Sequence, residues 1–182
     1  AFNYLGPMTN PARVSSSAIG VANPQMVEKM AWVFANRGDH ALVFRGDDGL
    51  DELTIATTSQ IWEASGGTLQ KYVFNPEGYG IERSSLDNLR GGDAEYNASV
   101  FRVVLAGEGE SAKDSLHAIR NAVLINAAAG LIAYRKNDGR SFEERYTEAL
   151  ADARQSIDTG AAAQVLNAWV EFSHLVVETP SP

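Results

Sequence analysis

The fold is decided by residues 15–44, whose sequence is SSSAIGVANPQMVEKMAWVFANRGDHALVF. The small residues at 15–22 predict a strand, and Asn23-Pro24 predicts a helix start, because proline in the first turn of a helix loses no hydrogen bond. Apolar residues at helical spacing continue to Gly38, and the apolar run 41–44 is typical of a strand covered on both faces. Strand, helix and strand within about thirty residues form one βαβ unit.

The segments on either side of this unit extend it. β-rich residues at 54–63 and 68–74 flank Gly66-Gly67, which predicts a hairpin. Upstream, the short apolar run 2–5 predicts a buried strand, and residues 6–11 predict a loop. A sheet-forming half followed by a helical half predicts helices packed on one sheet. The helices are expected at residues 84–89, 93–105, 111–134, 141–158 and 161–177.

Composition limits the possible functions. The chain has 182 residues, about the size of one domain, with 15 Lys and Arg against 23 Asp and Glu, and a net charge of −8. This acidic balance disfavours binding to nucleic-acid phosphates. The chain has no cysteine, which excludes disulfides, thiolate zinc sites and a cysteine nucleophile, and which fits a reducing cytosol. The longest mostly apolar stretch, 122–134, is too short to span a bilayer, so we expect no membrane partner.

An acidic loop follows the apolar strand 41–44. Residues 46–52 read GDDGLDE and carry four carboxylates, which repel one another. Mg²⁺ relieves such repulsion and prefers one or two protein carboxylates together with water and phosphate oxygens. The glycines let the adjacent Asp51 and Glu52 face one place. A solvated acidic turn explains the same residues, and the residues alone slightly favour the turn.

Two further loops contain glycines near polar residues. Residues 6–11, GPMTNP, leave room for a flat ligand at Gly6, with Asn3 able to supply a hydrogen bond, although a structural turn is the simpler interpretation. In residues 90–97, RGGDAEYN, Asp93 is predicted to cap a helix, and the N-terminus of that helix could bind an anion. An ordinary helix start explains the same residues without any ligand. The three histidines are scattered, and none has a partner at metal-ligand spacing.

Taken together and in order, these loops resemble the anthranilate phosphoribosyltransferase family of tryptophan biosynthesis. Residues 2–12 are similar to its Phe-Asn-x-Leu-Gly-Pro-x-x-Asn-Pro segment, and residues 46–52 to its Gly-x-Asp-Gly-Leu-Asp-Glu metal loop. Residues 90–97, 124–128 and 158–162 resemble three more family segments. The resemblance covers nearly the whole chain, and with it the acidic loop is interpreted as a metal site.

The resemblance implies a fold of the phosphoribosyltransferase and nucleoside-phosphorylase type. In that family a small helical domain joins a larger α/β domain, in which helices surround a mostly parallel central sheet. Residues 1–182 are expected to be the C-terminal portion of the α/β domain, without the N-terminal helical domain and without the upstream diphosphate loop. Two positions depart from the family pattern: Arg45 stands where histidine is frequent, and Asn121 where aspartate is common.

The resemblance also implies a glycosyltransferase reaction. Anthranilate and 5-phosphoribosyl 1-diphosphate would give N-(5-phosphoribosyl)anthranilate and diphosphate, with Mg²⁺ as cofactor. Asp51 and Glu52 would be the Mg²⁺ ligands, and Gly6 would line the anthranilate site with Asn3 close by. No residue is expected to act as a general base. The complete enzyme would be a cytoplasmic homodimer, whereas this portion would be inactive without the missing N-terminal half.

Three other functions remain open at this point. A pyrimidine-nucleoside phosphorylase shares the architecture, but residues 3–11 and the pair Asp51 and Glu52 favour the transferase. A nucleic-acid-binding relative of the same fold would need a basic face, which the net charge of −8 disfavours. The third alternative, a non-catalytic fragment, concerns this chain alone and is compatible with the family.

Overall fold

The computed structural model describes residues 2–108 and 115–178, with side chains for 5–108 and 115–175. Two short 3-10 helices, Pro76–Tyr79 and Leu86–Leu89, lie between the sheet and the helical half. The strands and α-helices in chain order are α1 (Phe2–Met8), β1 (Ser16–Gly20), α2 (Pro24–Arg37), β2 (His40–Gly46), β3 (Ser59–Ser65), β4 (Thr68–Phe74), α3 (Ala94–Leu105), α4 (Ser115–Arg135), α5 (Phe142–Asp158) and α6 (Ala161–Glu178).

The four strands form one sheet in the order β1-β2-β3-β4. β1 and β2 run parallel, with Ser16 opposite His40, which confirms the βαβ unit. β2–β3 and β3–β4 are antiparallel, so the expectation of a mostly parallel sheet is wrong for the described residues. The reason lies in the connections. No helix intervenes between β2 and β3, and Gly66-Gly67, both at positive φ, return the chain directly from β3 to β4.

The core lies on both faces of the sheet. Leu42 and Phe44 of β2 pack in a cluster with α4 and α5, whereas Ala41 and Val43 pack in a second cluster with α2. All four side chains are buried, as the apolar run in the sequence predicts for a doubly covered strand. α4 is long and apolar enough to cross a membrane by length and composition alone, but half of its most apolar stretch is buried in this core.

The capping residues set the helix boundaries where the sequence predicts them. The Asn23 side chain accepts a hydrogen bond from the Gln25 backbone N–H at 2.9 Å, and Gly38 ends α2 in the left-handed conformation. Ser141 and Glu144 form the predicted capping box of α5. Residues 111–114, predicted as the start of the long central helix, lie outside the described residues.

The first segment differs from its prediction. Residues 2–5 form the start of α1 rather than a buried strand, and α1 continues through Gly6 to Met8. The backbone N–H and the hydroxyl of Thr9 both donate to the Leu5 carbonyl, at 2.8 and 2.7 Å, which closes the last turn. The Arg37 guanidinium donates to the Met8 carbonyl. These bonds, two from Thr9 and one from α2, satisfy carbonyl groups of a segment that pairs with no strand among the described residues.

Candidate active site

The acidic loop crosses the carboxyl ends of the two parallel strands, where ligands bind in open α/β sheets. Gly20, the last residue of β1, permits this crossing, because a Cβ there would lie 1.4 Å from the Asp51 carbonyl oxygen. Above the strand ends lies a cleft of about 650 Å³. Its lining residues are Ala18, Gly20, Phe44, Asp51, Glu52, Leu89, Ile119, Ala122, Val123, Asn126 and Ala127.

Two of the four acidic residues hold the loop in shape. The Asp47 carboxylate accepts hydrogen bonds from the Thr58 hydroxyl and from the Gln60 amide, the latter at 3.2 Å. The Asp48 carboxylate accepts from the Leu50 backbone N–H at 3.1 Å, which is an Asx-turn. The turn interpretation therefore applies to the first two acids, which do not line the cleft.

The other two acids, Asp51 and Glu52, both line the cleft and are exposed to it. Neither side chain forms a hydrogen bond or ion pair with any described residue. Burial raises the pKa of the Glu52 carboxyl, and the negative charge of Asp51 raises it further. A cation bound between the two carboxylates would relieve both penalties, so the pair fits Mg²⁺. The described residues contain no cluster of three or more metal-binding side chains, so water or substrate oxygens would complete the coordination.

Two side chains from other elements hold the ends of this loop. Arg45 donates from Nε to the Ala22 carbonyl at 2.7 Å and from Nη1 to the Gly46 carbonyl at 3.0 Å, which joins the connections that follow β1 and β2. Asn126 of α4 bonds the backbone of Leu53, the residue after Glu52. Asn126 was not predicted to have a function, although its lone amide within the apolar stretch 122–134 is a signal that points to it.

The structure does not bring Gly6 into this cleft. α1 packs beside the C-terminal end of α2, where a second groove of about 510 Å³ is lined by residues 7–11, 13 and 14 together with Phe34, Arg37 and Asp39. These residues precede β2, whereas Asp51 and Glu52 follow it. Gly6 is exposed, with no atom within 4 Å of where a Cβ would stand. Asn3 lies in α1, but its side chain is outside the described residues. The substrate-binding roles of Gly6 and Asn3 stay predictions.

A comparison with known protein families identifies the family to which this chain belongs. The sequence model described as "Glycosyl transferase family, a/b domain" matches residues 1–163, nine-tenths of the chain. The chain belongs to this glycosyl transferase family.

Relatives of this glycosyl transferase chain share about 50% sequence identity with it over the matched residues. It is 50% identical over 172 residues to the anthranilate phosphoribosyltransferase of Acidothermus cellulolyticus and 49% identical over 173 residues to that of an Arthrobacter species. The matches cover 94% and 95% of this chain but 46% and 47% of those relatives. The chain therefore spans about half the length of the curated relatives it matches.

Solved structures show the same fold. The crystal structure of anthranilate phosphoribosyltransferase from Thermus thermophilus matches with a TM-score of 0.77 and 34% identity, over 94% of this chain and 47% of that one. The enzyme from Saccharomyces cerevisiae in complex with PRPP and Mg matches with a TM-score of 0.77 and 22% identity, over 92% of this chain and 45% of that one. The α/β fold and the family resemblance are confirmed.

The third glycine-rich segment of this glycosyl transferase chain is a helix start. The Asp93 carboxylate accepts from the Tyr96 backbone N–H at 2.8 Å and caps α3. The Asn97 amide bonds both the N–H and the carbonyl of Gly92, each at 2.9 Å. These contacts account for the spacing of the segment without any anion.

The position Asn121, where the family pattern has aspartate, lies in the helical core. Asn121 is buried on α4, and its neighbour Arg120, also buried, donates to the Asp158 carboxylate of α5 at 2.5 Å. The ion pair between helices α4 and α5 therefore uses Asp158 and does not need an acid at position 121.

A buried charged cluster lies apart from the cleft. The two Nη groups of Arg145 donate to the two carboxylate oxygens of Glu63, each at 2.8 Å, and His40 Nε2 lies 3.1 Å from the same carboxylate. Burial alone would raise the pKa of Glu63, but hydrogen bonds from His40 and Arg145 outweigh it and lower the pKa to about 2. His40 is therefore a core residue that links β2 to β3.

Proposed function

We propose that this chain carries the metal-binding part of an anthranilate phosphoribosyltransferase active site. In the complete enzyme, which we place in the cytoplasm as a homodimer, the reaction would join the phosphoribosyl group of 5-phosphoribosyl 1-diphosphate to anthranilate and release diphosphate. The single observation that carries the proposal is the pair Asp51 and Glu52, which face one cleft at the carboxyl ends of β1 and β2 with no cation partner among the described residues. Relatives about 50% identical that bear this name support it.

The reaction needs charge neutralisation and alignment more than covalent chemistry from the protein. The anthranilate nitrogen would attack the anomeric carbon, the bond from that carbon to diphosphate would break, and its electron pair would leave with the diphosphate. The protonated nitrogen would then lose one proton to water or to the released diphosphate. Asp51 and Glu52 would hold Mg²⁺, which supplies positive charge for the departing diphosphate when bound. An aromatic amine has a free lone pair at neutral pH, so no general base is required before attack.

The remaining part of the site would bind the two substrates. The described lining of the cleft includes two carboxylates and no basic side chain, so the groups that hold the diphosphate and the anthranilate carboxylate come from elsewhere. We assign part of the anthranilate surface to Gly6, where open space would accept a flat ring, with Asn3 close by. This arrangement would require α1 and other residues of a full-length enzyme to meet the cleft.

The test uses a full-length enzyme that contains this sequence. Asp51→Asn combined with Glu52→Gln keeps the shapes and removes both charges, and turnover of anthranilate, followed by its fluorescence, should fall at least a hundredfold, about the loss from removing a main electrostatic group. The matched control is Asp48→Asn, since the asparagine oxygen can still accept from the Leu50 N–H. Unchanged turnover of the double variant at saturating Mg²⁺ would refute the metal assignment.

A further inference from the structure

The Asn126 amide grips the backbone beside the carboxylate pair. Its Oδ1 accepts from the Leu53 N–H at 3.0 Å, and its Nδ2 donates to the Leu53 carbonyl at 3.0 Å. Nδ2 also donates to the Ala122 carbonyl within α4 at 3.0 Å, which holds the amide in one orientation. Two parallel bonds to one residue fix its direction as well as its position. Leu53 is therefore tied to a helix of the core, although 73 residues separate it from Asn126.

The direction of the Asp51 and Glu52 side chains depends on the Asn126–Leu53 hydrogen bonds, because no other described residue holds these side chains. Asp51 and Glu52 have no hydrogen bond to a described residue, so their direction comes from the loop backbone. On one side, the close approach of Gly20 confines the Asp51 carbonyl. On the other side, Leu53 is buried, and Asn126 satisfies both of its backbone polar groups. Without that amide, two buried groups would lack partners, and the loop would shift to hydrate them.

The same device occurs a second time beside the cleft. Asn97 bonds the N–H and the carbonyl of Gly92 at 2.9 Å each, and this fixes the approach to α3. Neither neighbour of Gly92 in the chain is an acid that lines the cleft. Asn126 differs because it bonds to Leu53, the residue directly after Glu52, and Glu52 does line the cleft.

We propose that Asn126 is a positioning residue for the metal pair: through the Leu53 backbone it holds Glu52, and with it Asp51, in the direction that binds a divalent cation. The inference rests on the proposed function, because it assigns Asn126 a role toward that metal. Residues that orient metal ligands typically change metal affinity by about 10–100-fold when they are replaced.

The experiment measures Mn²⁺ affinity of the 182-residue chain by the electron paramagnetic resonance signal of free Mn²⁺, with the melting temperature of each variant recorded. Asn126→Ala should weaken binding by about tenfold or more at temperatures well below its melting transition. The matched control is Asn121→Ala, which truncates another buried amide on the same helix at a position that does not line the cleft. Its affinity should stay at that of the unchanged chain.

Asn126→Gln separates positioning from folding. The glutamine keeps an uncharged amide but places it one methylene further from the helix, which disturbs both bonds to Leu53, so its affinity should fall between those of the unchanged chain and Asn126→Ala. It also decides the matter if Asn126→Ala does not fold: a loss of about threefold or more supports the proposal, and a smaller loss overturns it.

Asp51→Asn with Glu52→Gln distinguishes this inference from the proposed function. If the double variant loses Mn²⁺ binding but Asn126→Ala binds as the unchanged chain does, the positioning role is overturned and the metal pair stands. If the double variant binds Mn²⁺ as tightly as the unchanged chain, the metal pair is wrong, and the role of Asn126 falls with it.

Discussion

A methyl group at Gly20 tests whether the loop position matters for activity. In Gly20→Ala the new Cβ would lie 1.4 Å from the Asp51 carbonyl oxygen and 2.4 Å from its carbonyl carbon, whereas real Cβ contacts stay beyond 3.0 Å. The obstacle is backbone rather than a flexible side chain, so the loop itself must retreat by more than an ångström. Displacements of about 1 Å at a reacting centre cost roughly a hundredfold in rate.

We therefore expect turnover of the full-length enzyme to fall about a hundredfold in Gly20→Ala, and the free energy of unfolding to fall by about 1–3 kcal/mol from overpacking. Turnover is measured by anthranilate fluorescence and stability by urea unfolding. The control is Gly130→Ala, because Gly130 lies within α4 with no atom within 4 Å of the new Cβ, so this change should preserve both properties or stabilise the helix. Wild-type turnover in a folded Gly20→Ala variant would refute the reasoning.

The buried charges and the cleft lead to three more predictions. The pKa of Glu63 is about 2 in the fold against 4.5 in the unfolded chain, so the stability that this carboxylate contributes is complete above pH 4.5 and is lost as the pH falls toward 2. Glu63→Gln should lower the free energy of unfolding near neutral pH by about 3–5 kcal/mol, because Arg145 loses its charged partner. In urea titrations the stability of this variant should vary less between pH 4.5 and 2 than that of the unchanged chain. The isolated 182-residue chain should not turn over anthranilate even with Mg²⁺ and both substrates, because the described lining of its cleft has no basic group to orient them. Without that orientation the reaction loses the proximity effect, which lowers the activation barrier by roughly 7–11 kcal/mol. Gly6→Val in the full-length enzyme should raise KM for anthranilate more than KM for 5-phosphoribosyl 1-diphosphate, because a branched side chain would fill open space at the proposed ring surface.

Each of these has an outcome that contradicts it. A parallel pH dependence for Glu63→Gln and the unchanged chain between pH 4.5 and 2 would show that another group controls acid unfolding. Turnover by the isolated chain within about tenfold of the usual enzyme median of roughly 10 s⁻¹ would show that no further half is needed. Equal changes in both Michaelis constants of Gly6→Val would remove Gly6 from the anthranilate site.

Local patterns were sufficient for most of the secondary structure. Asn23 and Ser141 cap helices through bonds to residues two or three positions away, and Gly66-Gly67 form a turn within their own hairpin. Such contacts depend on neighbouring residues, so the sequence displays them directly. The continuous apolar run in β2 likewise predicts a strand covered on both faces.

The local sequence was enough to predict most of the elements, the family resemblance and the pair Asp51 and Glu52 as the expected metal ligands. What the other two acids do became visible only in three dimensions: Asp47 and Asp48 accept hydrogen bonds within the loop, while Asp51 and Glu52 line the cleft. The tertiary structure also decided that α1 is a helix and that its Gly6 lies away from that cleft. These outcomes depend on contacts between distant segments, such as Asn126 with Leu53. A hydrogen bond from a side chain to a backbone group 73 positions away leaves no periodic pattern in the sequence, because it exists only once the chain has folded.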